Sequence, residues 1–99
     1  MLTITGFMII ESGPTEYLLT EIDELVEKTR SEPGCINYDF HQSLDDSTRF
    51  VFYENFADQA AFDYHLAQPH TQAWIKMAEA HGATFDVKRW KMLSRLAGH

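Results

Sequence analysis

The sequence has a single cysteine, Cys35, so an intramolecular disulfide is impossible and a reducing compartment is favoured. It also has no apolar run that approaches the ~20 residues of a membrane-spanning helix. The first five residues lack the basic segment that opens a signal peptide. These absences predict a cytoplasmic protein with no membrane partner.

Basic residues are scarce as well. Eight Lys and Arg stand against fifteen Asp and Glu, which gives a net charge of −7. An acidic chain does not attract a phosphate backbone by default, and the short basic and aromatic cluster at residues 88–91 is more typical of a sheet edge protected by lysines. We therefore predict no nucleic-acid partner.

Motifs that hold cofactors are absent. The chain contains no Gly-x-Gly-x-x-Gly, no phosphate-binding Gly-rich loop and no Gly-x-Ser-x-Gly. His65 and His70 are five residues apart, which is not the spacing of two metal ligands on one helix face, and there is only one thiol. The sequence therefore predicts no cofactor and no metal site.

The residues that are present fit one domain over residues 1–99. Apolar residues make up 44% of the chain, which is enough for one core, and aromatic residues make up 13%. That aromatic content is high for a small core. It indicates either a pocket lined by rings or an apolar interface between subunits.

Hydrophobic periodicity and turn residues divide the chain into regular elements. The predicted elements are strands over 2–10, 35–44, 49–56 and 85–93, a helix over 15–31, and a helix pair between Asp58 and Gly82 that is divided at Pro69. Asp58 is suited to cap its helix, and Pro69 is tolerated in a first helical turn. Pro33 and Gly34 suit the centre of a type II turn.

The element order, βαββααβ, predicts an α+β fold of the ferredoxin-like, split βαβ type with a four-stranded antiparallel sheet. Its helices cover only one face of the sheet. The third strand has bulky apolar residues on both faces, and each Phe-sized side chain gains about 1.5–3 kcal/mol from burial. We therefore predict a homodimer that forms through the sheet faces.

Three segments of the sequence carry a family resemblance. They are Glu-Pro-Gly-Cys at 32–35 followed by Tyr38, Arg-Phe-Val-Phe-Tyr-Glu at 49–54, and His-Leu-Ala-Gln-Pro-His at 65–70. Together they resemble the antibiotic biosynthesis monooxygenase (ABM) domain family, which implies a dimeric α+β barrel. Members of that family include cofactor-free quinol or anthrone monooxygenases, heme-degrading enzymes and an isomerase of phosphorylated autoinducer-2.

Two departures from the family pattern bear on function. Many members have Trp two residues after the strand Glu, whereas this chain has Phe56, which keeps a ring but loses the indole N–H. The first strand also lacks the Asn that heme-degrading members carry there. The second departure argues against heme degradation.

The candidate catalytic residues are His65, His70 and Glu54. Both histidines fall on apolar helix stripes, and a neutral imidazole can act as a base near pH 7. Each could instead be a core or capping histidine that is hydrogen-bonded to the backbone. The sequence alone leaves both possibilities open.

Glu54 shares a strand face with Phe50, Phe52 and Phe56, so its carboxylate must be paired, protonated or exposed to a wet cavity. It could pair with Arg89 or Lys91 on a neighbouring strand or hydrogen-bond to His70. Alternatively, it could face a ligand.

The candidate substrate-binding residues are Tyr38, Phe52, Phe56 and Trp74. The family resemblance implies a cofactor-free monooxygenase that oxidises a quinol, anthrone or similar aromatic enol with O2, and these residues with a histidine base would supply its cavity and its base. Two alternatives remain. One is an isomerase of a small phosphorylated, sugar-like ligand, and the other is a non-catalytic dimer that binds a small molecule.

Overall fold

The computed structural model describes residues 1–94 and confirms the predicted α+β architecture. The elements are, in chain order, β1 (Leu2–Ile9), α1 (Glu16–Arg30), β2 (Cys35–Gln42), β3 (Arg49–Phe56), α2 (Gln59–Ala67), α3 (Pro69–Ala80) and β4 (Thr84–Lys91). The strands form one antiparallel sheet in the order β2-β3-β1-β4. The last five residues of the predicted domain 1–99 lie outside the described residues. No helix within the described part of the chain is long and apolar enough to cross a bilayer.

The helix ends follow the predicted local signals. The Thr15 hydroxyl accepts the Leu18 N–H at 3.2 Å and begins α1. Asp58 caps α2 by accepting the Ala61 N–H at 2.9 Å. Pro69 occupies the first turn of α3, where its missing N–H leaves no hydrogen bond unmade.

Strand ends differ from the prediction by one or two residues. β2 stops at Gln42 because Ser43 begins the turn, where its hydroxyl accepts the N–H groups of Asp45 and Asp46. β4 stops at Lys91, which pairs with the first residue of β1. A strand cannot extend beyond the neighbour that supplies its hydrogen bonds.

All three helices lie on one face of the sheet. The strand side chains on this face, including Ile4, Met8, Phe52 and Phe56, are buried. The helices bury their own apolar stripes against them, chiefly through Leu18, Ile22, Leu25, Phe62 and Trp74.

The other face of the sheet, here called the outer face, has none of the helices of residues 1–94 against it. Phe7, Tyr53 and Trp90 lie half-exposed on this face. A chain of polar side chains also crosses it, from β1 through β3 and β2 to the end of α1. The links are Thr3 to Asn55 at 2.5 Å, Asn55 to Asn37 at 2.9 Å, Asn37 to Asp39 at 3.1 Å and Asp39 to Arg30 at 2.8 Å.

The turn between α1 and β2 packs tightly on α2. The Cys35 N–H donates to the Glu32 carbonyl at 3.2 Å and closes the predicted turn. Gly34 has φ +84°, and a Cβ placed on it would lie 2.6 Å from Ala61 Cβ. Position 34 therefore requires glycine for two reasons, its left-handed backbone conformation and the close approach of α2.

We expect Gly34→Ala to lower the free energy of unfolding by about 2–4 kcal/mol, because it adds a steric clash to left-handed backbone strain. Gly13→Ala is the matched control, since Gly13 has φ +79° and open space around it. Gly13→Ala should lower the free energy of unfolding only by the left-handed backbone strain, about 1 kcal/mol. Urea unfolding followed by circular dichroism measures both. Equal costs for the two variants would show that the contact with α2 contributes nothing.

Candidate active site

A buried carboxylate joins the three helices. Glu32 follows α1, and its side chain is only 4% exposed. Its Oε2 atom lies 3.0 Å from Nδ1 of His65, in the last turn of α2, and 2.5 Å from Nε2 of His70, in the first turn of α3. The break at Pro69 thus brings two histidines from different helices to one oxygen.

The hydrogen bond to Glu32 orients the His65 ring. An ionised carboxylate can only accept hydrogen bonds, so Nδ1 of His65 donates and Nε2 keeps its lone pair. Nε2 has no hydrogen-bond partner among the described residues. Burial lowers the pKa of His65, although the neighbouring Glu32 opposes this effect. His65 therefore presents a neutral, basic nitrogen near pH 7.

A cleft of about 80 Å³ lies between the sheet and helices α2 and α3. Its wall is mostly apolar and aromatic, with four polar side chains. The site residues that line it are Tyr38, Phe52, Glu54, His65, Thr71 and Trp74. Leu66 and Val87 also line it and are 39% and 55% exposed, so the cleft opens to solvent between α2 and β4.

Among residues 1–94, no cationic side chain pairs with Glu54 in this cleft. The side chain is 6% exposed, and its Oε1 atom has no hydrogen-bond partner within residues 1–94. Arg89 donates instead to Gln59 at 2.9 Å, and His70 is bonded to Glu32. Burial, and after it the negative charge of Glu32, raises the pKa of Glu54 to about 8. Glu54 is therefore mostly a neutral acid at pH 7.

Tyr38 lies beside Glu54 on the adjacent strand, where the two residues are paired across β2 and β3. Burial raises the pKa of Tyr38 well above its usual value of 10, and the charges of Glu54 and Glu32 add to the rise. The centroid of its ring lies 5.5 Å from the ring centroid of Phe52 and 5.2 Å from that of His65. Tyr38 can therefore donate a hydrogen bond in the cleft but cannot serve as a base near neutral pH.

Five of the seven predicted site residues line this one cleft: Tyr38, Phe52, Glu54, His65 and Trp74. The other two lie behind it. His70 reaches Glu32 from the far side and lines a separate groove of about 280 Å³ between α1 and α3. Phe56 is completely buried, with its ring 5.3 Å from that of His65.

Glu32 was not among the predicted site residues. Its position in the Glu-Pro-Gly-Cys segment marks a turn, and nothing in its spacing from the histidines, 33 and 38 residues away, indicates contact. Only the family resemblance, in which this segment and the histidine segment occur together, connects them.

The same three residues could supply metal ligands. The donor atoms of Glu32, His65 and His70 all lie within 4.8 Å of one another. Two ligand atoms that each lie about 2.1 Å from one ion, with a ligand–ion–ligand angle of 90° or more, are roughly 3 Å or more apart. Since Nε2 of His70 and Oε2 of Glu32 are 2.5 Å apart, the cluster is arranged for hydrogen bonding and would have to open to hold an ion.

Comparisons with known proteins bear on this site. The profile of the family described as "Antibiotic biosynthesis monooxygenase" matches residues 1–77. An uncharacterized protein of Synechocystis, sll1783, is 28% identical over 76% of this chain, which spans only 51% of that protein's length. YcnE of Bacillus subtilis, which carries a provisional monooxygenase name, is 28% identical over 93% of this chain and 98% of its own. A crystal structure titled as an antibiotic biosynthesis monooxygenase superposes with a TM-score of 0.87 and 33% identity, covering 95% of this chain and all of that one.

We expect Glu54→Gln to stabilise the protein at high pH. The pKa of Glu54 rises from 4.5 to about 8 on folding, so stability declines as pH rises between these values, where only the folded protein holds the proton. Gln cannot ionise. The free energy of unfolding of the variant should equal that of the wild type near pH 4 and exceed it by about 1 kcal/mol or more at pH 9. For a chain of this size, each kcal/mol raises Tm by roughly 4–8 °C.

Thermal unfolding at the two pH values measures this difference, with the exposed Glu27→Gln on α1 as the control. The control should show no such dependence on pH. A Tm difference between Glu54→Gln and the wild type that is the same at pH 4 and pH 9 would contradict a raised pKa at Glu54.

Proposed function

This chain belongs to the antibiotic biosynthesis monooxygenase family, and we propose that it is a cofactor-free monooxygenase that oxidises a quinol, anthrone or similar aromatic enol with O2. One observation carries the proposal. The oriented base His65 and the uncharged acid Glu54 line a single cleft whose remaining wall is largely aromatic. Such a cleft suits a flat, apolar substrate with one acidic C–H or O–H bond.

The base in this proposal is His65, and Glu32 is its positioning residue. Nε2 of His65 takes the proton, and the resulting imidazolium is stabilised by the carboxylate held 3.0 Å from Nδ1. A positioned base of this kind contributes about 10²–10⁴-fold to the rate. His70 holds the same carboxylate from the other side.

The chemistry needs no cofactor when the substrate itself supplies electrons. Ground-state O2 reacts slowly with closed-shell molecules, but a deprotonated anthrone donates one electron to it readily. The two radicals then join through a C–O bond, and the peroxide takes back the proton from His65. Loss of water leaves a ketone, so that one ring methylene group and one O2 molecule yield one carbonyl group and one water molecule.

The size of the cleft indicates how a substrate enters. A dry cavity of ~150 Å³ holds a benzene molecule, and the cleft offers about 80 Å³. The oxygen-bearing edge of a ring therefore enters as far as Glu54 and His65. The remaining rings lie at the mouth, against Leu66 and Val87.

The proposal includes a homodimer that forms through the outer face of the sheet. Phe7, Tyr53 and Trp90 are 43%, 40% and 49% exposed on that face, which no helix covers. Aromatic residues are enriched in subunit interfaces. A second copy would bury these rings and leave the mouth of the cleft, on the helix side, accessible.

We expect His65→Gln to lower the initial rate of O2 uptake with an anthrone or polycyclic quinol by about 10²-fold or more, because Gln offers no basic nitrogen. An oxygen electrode measures the rate after correction for uncatalysed autoxidation. His81→Gln is the control, since His81 is exposed at the end of α3, and it should retain the wild-type rate.

Two outcomes would contradict the proposal. A His65→Gln variant with the wild-type rate would place the base elsewhere. Substrate conversion that proceeds equally well under argon would reject the oxygenase and favour the isomerase.

We expect the wild type to sediment at twice its 11.4 kDa mass at micromolar concentration. Tyr53→Asp should shift it toward monomer, because a charge would be buried in the interface. Tyr64→Asp is the matched control, since Tyr64 is similarly exposed but lies on α2. A stable wild-type monomer, or equal effects of the two variants, would contradict an interface on the outer face.

A further inference from the structure

Glu54 is the one buried acid in the described part of the chain that has an enclosed oxygen without any partner. A buried polar atom in this state costs free energy unless something satisfies it. Because the side chain lines the cleft, a ligand bound there can hydrogen-bond to the carboxyl group. The question is which chemical group that ligand presents.

The surroundings of Glu54 decide its charge. The titratable and charged side chains that face it from the packed elements are Cys35 and Tyr38 of β2, His65 of α2, Glu32 after α1 and Arg89 of β4. Of these only Arg89 is a permanent cation, and its guanidinium is bonded to Gln59. The charge that acts on Glu54 is that of a second acid, Glu32, so an ionised Glu54 would be both desolvated and repelled.

The space beside the carboxyl group is also defined. Gly6 of β1 lines the cleft, and a Cβ placed on it would lie 3.6 Å from Oε2 of Glu54 and 3.5 Å from Cβ of Phe52. These are ordinary contact distances. The absence of a side chain at Gly6 therefore leaves room for about one ligand atom next to Glu54.

We propose that Glu54 stands in the cleft as an uncharged carboxylic acid and donates its proton in a hydrogen bond to a carbonyl or enolate oxygen at the edge of the ligand ring. This inference rests on the proposed function and narrows its substrate class to ring compounds with an acceptor oxygen beside the reacting carbon. When His65 removes the proton, negative charge develops on that oxygen. The bond from Glu54 then strengthens, because hydrogen bonds to charged acceptors are about twice as strong as neutral ones.

Binding can be tested without turnover. The probes are 2-acetylnaphthalene, which has a ring carbonyl substituent, and 2-ethylnaphthalene, which has a similar shape without the acceptor. Isothermal titration calorimetry at pH 6 and pH 9.5 should show the ketone bound about 10-fold more tightly than the hydrocarbon at pH 6, the value of one net hydrogen bond. The preference should disappear at pH 9.5, where Glu54, with its pKa of about 8, has lost the proton it donates.

Three variants test whether Glu54 causes the preference for the ketone and its pH dependence. Glu54→Gln keeps an N–H donor that cannot ionise, so it should retain the preference for the ketone at both pH values. Glu27→Gln, on the exposed side of α1, should behave as the wild type. Gly6→Ala should weaken both probes several-fold, because its methyl group fills the space beside the carboxyl group, and should leave the pH dependence of the remaining preference unchanged.

The results separate this inference from the proposed function. Undetectable binding of the ketone, equal binding of the two probes at pH 6, or a preference that persists at pH 9.5 in the wild type would overturn the inference. So would pH dependence that survives in Glu54→Gln. The expected binding pattern without any oxidation of quinols or anthrones would refute the monooxygenase and leave the role of Glu54 standing.

Discussion

The buried carboxylate of Glu32 is the constraint on which the site depends. It is removed from water at the meeting point of three helices, and two imidazole N–H groups satisfy it. A carboxylate left alone there would cost several kcal/mol. The turn at Gly34, the helix break at Pro69 and the orientation of His65 are therefore parts of one arrangement, because each is needed to bring a donor to the same oxygen.

Glu32 and Glu54 are both buried glutamates, but their different surroundings give them different roles. Glu32 has two donors, whereas Glu54 has none within the described residues and faces aromatic rings. The negative charge of Glu32 adds to burial in raising the pKa of Glu54. One carboxyl group thus positions a base, and its negative charge helps to hold the other carboxyl group uncharged.

Local signals were enough to predict the element order and the fold class. Strand alternation correctly grouped Glu54 with Phe52 on one face of β3, and the structure puts that face on the helix side, where Tyr38 of β2 and His65 of α2 also lie. The pairing of Glu32 with His65 was missed, because it arises only when the turn packs on α2. Periodicity reports which face a residue occupies and gives no information about a contact between residues 33 positions apart. The end of β4 was misplaced for a related reason, since it depends on where the neighbouring strand β1 begins.

The polar chain from Thr3 to Arg30 on the outer face has a consequence for assembly. Each of its links is made within a single chain, so the face has these hydrogen bonds before anything covers it. In the homodimer proposed above, a subunit would therefore keep these bonds when it separates from its partner. Association in that homodimer would then depend on apolar contact between the two outer faces.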